Sequence, residues 1–205
     1  MKWQGDRVFN MEIVLATNNL DKVREIKRIL QGLNVKILTL KDFSSIPKVK
    51  EDGKTLRENA IKKAVTIACK TARIALADDS GLEVNVLGSR PGVISSRFAG
   101  SGCTYNDNNR KLLRLMQDVP FSKRQARFVC VIAIARPNGK TRTVKGICRG
   151  KIAMEIRGRQ GFGYDPVFIP CGYKKTFAEV GLKIKNKISH RAKALLKAKK
   201  ILANF

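Results

Sequence analysis

At 205 residues, 43% hydrophobic and 28% charged, the chain has the size and balance of one globular domain with its own core. No apolar run approaches the roughly 18–20 residues of a membrane span, Met1 to Asn10 lack the apolar centre of a signal peptide, and the expected compartment is the cytoplasm. The formal charge of +26 is uneven, +8 over residues 1–118 and +18 over residues 119–205, a field that steers anions such as nucleotides but lacks the aromatic and basic interleaving of a specific nucleic-acid binder.

Glu12 to Thr17 reads as a short apolar strand running into the polar turn Asn18-Asn19-Leu20-Asp21. Leu20, Val23, Ile26 and Leu30 recur at helical spacing, with Gly32 as the stop. Val35 to Leu40 forms a second strand, and Lys41 to Lys54 a polar, mobile connection. Thr55 caps a helix reaching about Arg73, with Glu58 in the capping-box position. Ile74 to Ala77 is then a strand that delivers Asp78 and Asp79 at its end. Pro91-Gly92 marks a turn, Arg97 to Asn106 a glycine-containing loop, and Asn108 to Gln117 a helix with Leu112, Leu115 and Met116 on one side. Gln125 to Ala135 and Thr141 to Ile147 flank Pro137-Asn138-Gly139, a hairpin signal. Ser189 to Ala203 closes the chain as a helix, with Ile188, Ala192, Leu195 and Leu202 on one stripe. The sum is an α/β domain with a mixed sheet. Five cysteines are dispersed without a CxxC pair, which argues against a disulfide framework or zinc site and for reduced thiols filling apolar space.

Three clusters carry chemistry. Thr17-Asn18-Asn19-Leu20-Asp21-Lys22 sits at a strand-to-helix junction, where free amides, hydroxyl and carboxamide groups and a lysine one turn in suit a phosphate; an ordinary capped surface helix reads the same way. Asp78 and Asp79 project to opposite faces of a strand, so one enters a cleft while the other braces the loop; with Glu58 they offer the carboxylates Mg²⁺ takes alongside substrate phosphates. A turn with side-chain hydrogen bonds is the plainer alternative. In Gly161-Phe162-Gly163-Tyr164-Asp165, glycines on both sides let the backbone lift Phe162 toward a stacking base. Asp165 can accept from purine N–H groups, and His190 and Arg191, beside Lys185 and Ser189, can donate to carbonyl oxygens. Packing aromatics and a satisfied histidine would produce the same letters.

In order along the chain, LATNNLDKVREI (15–26), TLRENAIKKA (55–64), ADDSGLEVNVLGSRPGVISSRFAG (77–100), QARFVCVIA (125–133), GFGYDPVF (161–168) and KNKISHRAKAL (185–195) resemble the inosine triphosphate pyrophosphatase family. The resemblance covers residues 11–205 and leaves residues 1–10 as an N-terminal extension, since family chains usually begin at the position of Met11. It implies an elongated α/β fold with a central mixed sheet, a cleft between two lobes, and a homodimer. It implies hydrolysis of deaminated purine nucleoside triphosphates (dITP, ITP, XTP) to the monophosphate and pyrophosphate, with one Mg²⁺ per subunit. Thr17 to Lys22 would bind phosphates, and Asp79 would be the general base. Glu58 and Asp79 would hold the metal, Asp78 would support them, and Ser80 would contact substrate. Phe162, Gly163, Tyr164 and Asp165 would hold the base, and Lys185, His190 and Arg191 would complete its pocket, with Ser189 in support.

The chain departs from the family at Asn18, where many relatives have glycine, at Gln160 before Gly161, and at Lys183-Ile184, where an acidic pair is common. Two other readings compete: a Maf-like pyrophosphatase of other modified nucleotides, and a basic nucleic-acid-binding protein whose affinity falls steeply with salt.

Overall fold

A computed structural model describes residues 11–203, so the expected N-terminal extension lies outside the described residues. Along the chain come β1 (Met11–Leu15), α1 (Leu20–Leu30), β2 (Val35–Thr39), α2 (Leu56–Thr71) and β3 (Ile74–Val84). After them come α3 (Tyr105–Leu115), β4 (Gln125–Ala135), β5 (Thr141–Ile152), β6 (Phe168–Pro170), α4 (Phe177–Ile188) and α5 (His190–Leu202). The six strands make one mixed sheet in the order β2-β1-β3-β4-β5-β6. β1 runs parallel to β2 and β3, as a strand–helix–strand crossover requires. β3 through β6 are antiparallel.

The alternation of side chains across the sheet sorts the core. Val14, Ala75, Ala77, Val129, Val131 and Ala133 face α2. Ile13, Leu15, Leu76, Ile132 and Ile134 face α1 and α5. The far ends of the long strands form a second lobe, where Leu82, Val84, Phe128 and Ile152 pack with Leu112 of α3 and Phe177 of α4.

What positions the site is a difference in strand length. β1 pairs with β3 only from Ile13–Ile74 to Leu15–Leu76, whereas β3 continues beside β4 to Val84. Beyond Leu76 β1 no longer pairs with β3, and the cleft between the lobes opens there, before the Arg90–Ser95 segment covers the same side at Gly81 to Val84. Asp78 and Asp79 therefore lie in the middle of a strand, not at its end as the sequence suggested, because pairing with β4 continues through Ile132 and Val131.

Other boundaries shift for local reasons. α3 starts three residues before the expected Asn108, because Thr104 caps it and Asp107 completes a capping box. Its Leu115 is exposed, while Leu112 and Met116 are buried. α4 and β6 were not expected at all; α4 is interrupted at Gly181, whose φ of 81° breaks the helical pattern. The connection from Lys41 to Lys54 is polar but not detached, since Phe43, Ile46 and Val49 pack against the α2 core. Only Cys130 and Cys148 fill buried space; Cys69 and Cys171 are exposed.

Candidate active site

The phosphate turn is built by its own hydrogen bonds. Asn19 caps α1, its Oδ1 accepting from the backbone N–H of Asp21 at 3.0 Å and of Lys22 at 3.1 Å. Thr17 Oγ1 accepts from Asn19 N at 3.2 Å. Thr17, Asn18, Asn19 and Lys22 line a cavity of about 380 Å³. Leu20 and Asp21 do not: Leu20 is exposed, and Asp21 pairs with Arg24 at 3.0 Å.

Successive residues of β3 reach opposite sides, as expected of a strand. Asp78 is fully buried and faces α1 and α5, where its Oδ2 meets Lys22 Nζ at 3.1 Å and Arg191 Nε at 3.2 Å. Ser80, on the same face, donates to that oxygen at 3.2 Å. Asp79 faces α2 and lines the cavity; its Oδ1 accepts from Lys63 Nζ at 3.0 Å, while Oδ2 is buried without a hydrogen-bond partner. Lys63 Nζ also meets Glu51 Oε1 at 2.9 Å and donates to the Asp78 carbonyl at 2.8 Å. A lysine ammonium thus sits between two carboxylates of the cleft wall, Asp79 and Glu51. Glu58, expected with them, is not brought there: it is exposed at the start of α2, and its Oε2 accepts from Lys54 N at 2.7 Å.

The base loop is held by a glycine and an acid. Gly161 has a φ of +81°, and a Cβ there would overlap the carboxylate of Asp165. Asp165 Oδ2 accepts from Phe162 N at 2.9 Å and from Lys185 Nζ at 2.5 Å. The half-buried Phe162 ring lies 4.3 Å from Lys185 Nζ and 5.4 Å from the Arg191 guanidinium carbon, within cation–π range. Tyr164 reaches the cavity wall but is 5% exposed and donates its hydroxyl to Ser95 O at 2.9 Å, so it also serves packing. Ser189 is the N-cap of α5, its Oγ accepting from Ala192 N at 3.1 Å. α5 lies hard against β5 at Gly146, where a Cβ would overlap the His190 carbonyl. That contact sets His190 and Arg191 at the cleft wall.

Glu25 of α1, which sequence reasoning passed over, ties these parts together. It is 6% exposed, pairs with Lys185 Nζ at 2.8 Å, and also accepts from Arg191 Nη1. Burial would push its carboxyl up, but Arg191 and Lys185 outweigh burial and hold it below the usual value. The same contest holds Asp78 well below the carboxylate range, with Lys22 and Arg191 beside it. Arg191 is held charged against burial by Asp78 and Glu25. At Asp79 and Asp165 burial wins over the adjacent lysines, and both carboxyls are raised. Lys63, by contrast, is raised despite burial because Asp79, Asp78 and Glu51 surround it.

His190 differs from Arg191 in charge. Burial first, then the charges of Arg191 and Lys185, push its pKa well below the usual histidine value. It stacks on Phe128 at 4.5 Å with 12° between the rings. A neutral imidazole donates from one nitrogen only, and Arg191 is committed to Asp78 and Glu25.

Fold and site together define an α/β protein in which a capped cationic turn and an aromatic-walled pocket share one cleft, the equipment for holding a nucleoside phosphate. The Ham1 family model matches residues 13–201, and the chain belongs to that family. A dITP/XTP pyrophosphatase of Desulforamulus reducens is 51% identical over 192 residues, which cover 94% of this chain and 96% of the relative. One from Geobacter sulfurreducens is 48% identical over 183 residues, 89% of this chain and 92% of that one. Among solved structures, a HAM1 protein from Coxiella burnetii aligns with a TM-score of 0.87 at 41% identity, covering 95% of this chain and 100% of that chain.

Proposed function

We propose that this chain is a nucleoside-triphosphate pyrophosphatase that cleaves dITP, ITP and XTP between the α- and β-phosphates, giving the monophosphate and pyrophosphate. The relatives that match nearly its whole length are named for that activity. The observation that carries the reading is Asp79, a buried carboxylate with an unpartnered oxygen in the wall of the cavity that also holds the phosphate turn and base loop.

Lys22, at the cavity wall, neutralises phosphate charge. Asp79 Oδ2 accepts a proton from water as the water oxygen attacks phosphorus and pyrophosphate leaves. Burial raises Asp79 toward the range where a general base works near neutral pH. Asp79 and Glu51 would hold a divalent metal, in our reading Mg²⁺: both are oxygen donors in the cavity wall, and a cation, the Lys63 ammonium, already lies between them. When bound, the metal polarises phosphoryl oxygens as a Lewis acid. Phe162 supplies the stacking face. His190, neutral, donates to the 6-oxo group of hypoxanthine or xanthine; the 6-amino group of adenine offers no acceptor there, a mismatch worth roughly 1–3 kcal/mol.

Residues 11–205 then form one catalytic domain, acting as a homodimer in the cytoplasm to remove deaminated purines from the nucleotide pool. No helix among the described residues is long and apolar enough to cross a membrane. Pyrophosphate release from ITP, dITP, XTP, GTP, ATP and dTTP with Mg²⁺ tests the reading, wild type beside Asp79→Asn. Turnover of the first three, reduced by about 10²–10⁴ in the folded variant, is expected. Activity confined to other nucleotides would sink the specificity. No turnover of any triphosphate would favour the basic-binding alternative.

A further inference from the structure

Helix α3 has no part in the chemistry above, yet its first turn faces the cleft. The Thr104–Asp107 capping box fixes Tyr105 as the first helical residue, with Asp107 Oδ2 accepting from Thr104 N at 2.8 Å. Residues 105, 108 and 109 share one side of the helix. Asn109 Nδ2 donates to the Gly163 carbonyl of the base loop at 3.0 Å. The Tyr105 hydroxyl accepts from Asn19 Nδ2 at 3.0 Å, and its ring lies 6.0 Å from that of Phe162 with 44° between them. One side chain thus touches both the phosphate turn and the base wall. Tyr105 is 42% exposed and packs into no core, so its place is not explained by burial.

We propose that Tyr105 is a positioning residue for the phosphate end of the substrate, an inference that rests on the pyrophosphatase reading. The geometry gives the route. A carboxamide has one acceptor end and one donor end. Asn19 uses its oxygen to cap α1 at Asp21 and Lys22, and its nitrogen is held by Tyr105. The helix amides fix the oxygen end of that carboxamide, and the tyrosine hydroxyl anchors its nitrogen end. The ring, through Phe162, keeps the same side chain against the base wall. Losing the hydroxyl releases the nitrogen end of the carboxamide and loosens the phosphate turn while the aromatic wall stays.

Tyr105→Phe and Tyr105→Ala separate the two contacts, with ITP turnover as one readout. Inhibition by tripolyphosphate, which reports the phosphate end alone, and by inosine, which reports the base end alone, are the others. For Tyr105→Phe the KM for ITP and the Ki for tripolyphosphate should rise about three- to tenfold, the worth of one hydrogen bond. Its kcat and its Ki for inosine should stay within about twofold. Tyr105→Ala should weaken inosine as well. Tyr105→Phe with both inhibitors unchanged, or with both weakened equally, overturns the proposal. Wild-type protein that turns over no ITP would instead strike the pyrophosphatase reading on which it rests.

Discussion

Glu25 of α1 and Lys185 of α4 form an ion pair at 2.8 Å with the two side chains only 7% and 2% exposed. The pair joins the helix that carries Lys22 to the helix that leads into His190 and Arg191. Arg191 shares the same carboxylate and also meets Asp78, and Lys185 also meets Asp165, so these five charges make one buried network. Glu25 is brought to it from far along the chain, separated from Arg191 by 166 residues.

Glu25→Gln should therefore be felt in both stability and activity. Removing one charge of a buried pair leaves the others uncompensated and costs about 3–5 kcal/mol. Urea unfolding should show a lower midpoint with an unchanged slope. The KM for ITP should rise, because Lys185 and Arg191 lose the group that aims them at Phe162. A midpoint equal to wild type would mean that solvent reaches the pair.

Lys63→Met tests the surroundings of Asp79. Burial raises the Asp79 carboxyl and Lys63 pulls it back. Without the ammonium the carboxyl should rise further. A general base works ionised, so activity is lost as pH falls through its pKa. The acid limb of the kcat/KM profile should consequently move to higher pH in the variant. An unmoved limb would assign that limb to another group.

Gly146→Ala acts at a distance from the cleft. The added Cβ would overlap the His190 carbonyl and stand 2.5 Å from the Ala194 amide nitrogen, both backbone atoms of α5 that cannot rotate aside. The helix must shift, at a cost of about 1–3 kcal/mol. His190 and Arg191 move with it, so discrimination of ITP against ATP should narrow along with the loss of thermal stability. Unchanged discrimination would show that α5 relaxes without moving its first turn.

The parts of this site that are local in sequence could be read from it. The Thr17–Lys22 turn follows from strand, polar cap and helix within a few residues, and the division of labour between Asp78 and Asp79 follows from strand alternation alone. Glu25, Lys63 and Glu51 could not be read in this way. On a helix wheel Glu25 is one more charge, and what makes it a site residue is a partner from the other end of the chain. Lys63 resembles the surface lysine Lys62 beside it until α2 is laid over β3. The only local signal for Glu25 was its place next to Ile26 on the buried face of α1. α4 was hidden by Gly181 inside it, and Tyr105 by a cap placed at Thr104 and not further along.

His190 yields a prediction whose sign can be worked out. In the folded protein burial and the cations Arg191 and Lys185 depress its pKa, while in the unfolded chain it takes a proton near its ordinary value of 6.5. Below that value the unfolded state binds more protons than the folded one. Stability present at neutral pH is therefore lost as pH falls through about 6.5, with a slope of up to about 1.4 kcal/mol per pH unit. Asp78 and Glu25 are depressed carboxylates and lose their contribution only in more acidic solution. Asp79 and Asp165 are raised and work in the opposite sense, since stability falls as pH rises through their window. Comparison of wild type with His190→Gln removes these shared terms. Urea unfolding at about pH 7.5 and about pH 5 in the same salt should show wild type losing more stability than the variant on acidification. Equal losses would mean that His190 is not depressed in the folded cleft and is charged there at about pH 5, a cationic rather than a neutral donor.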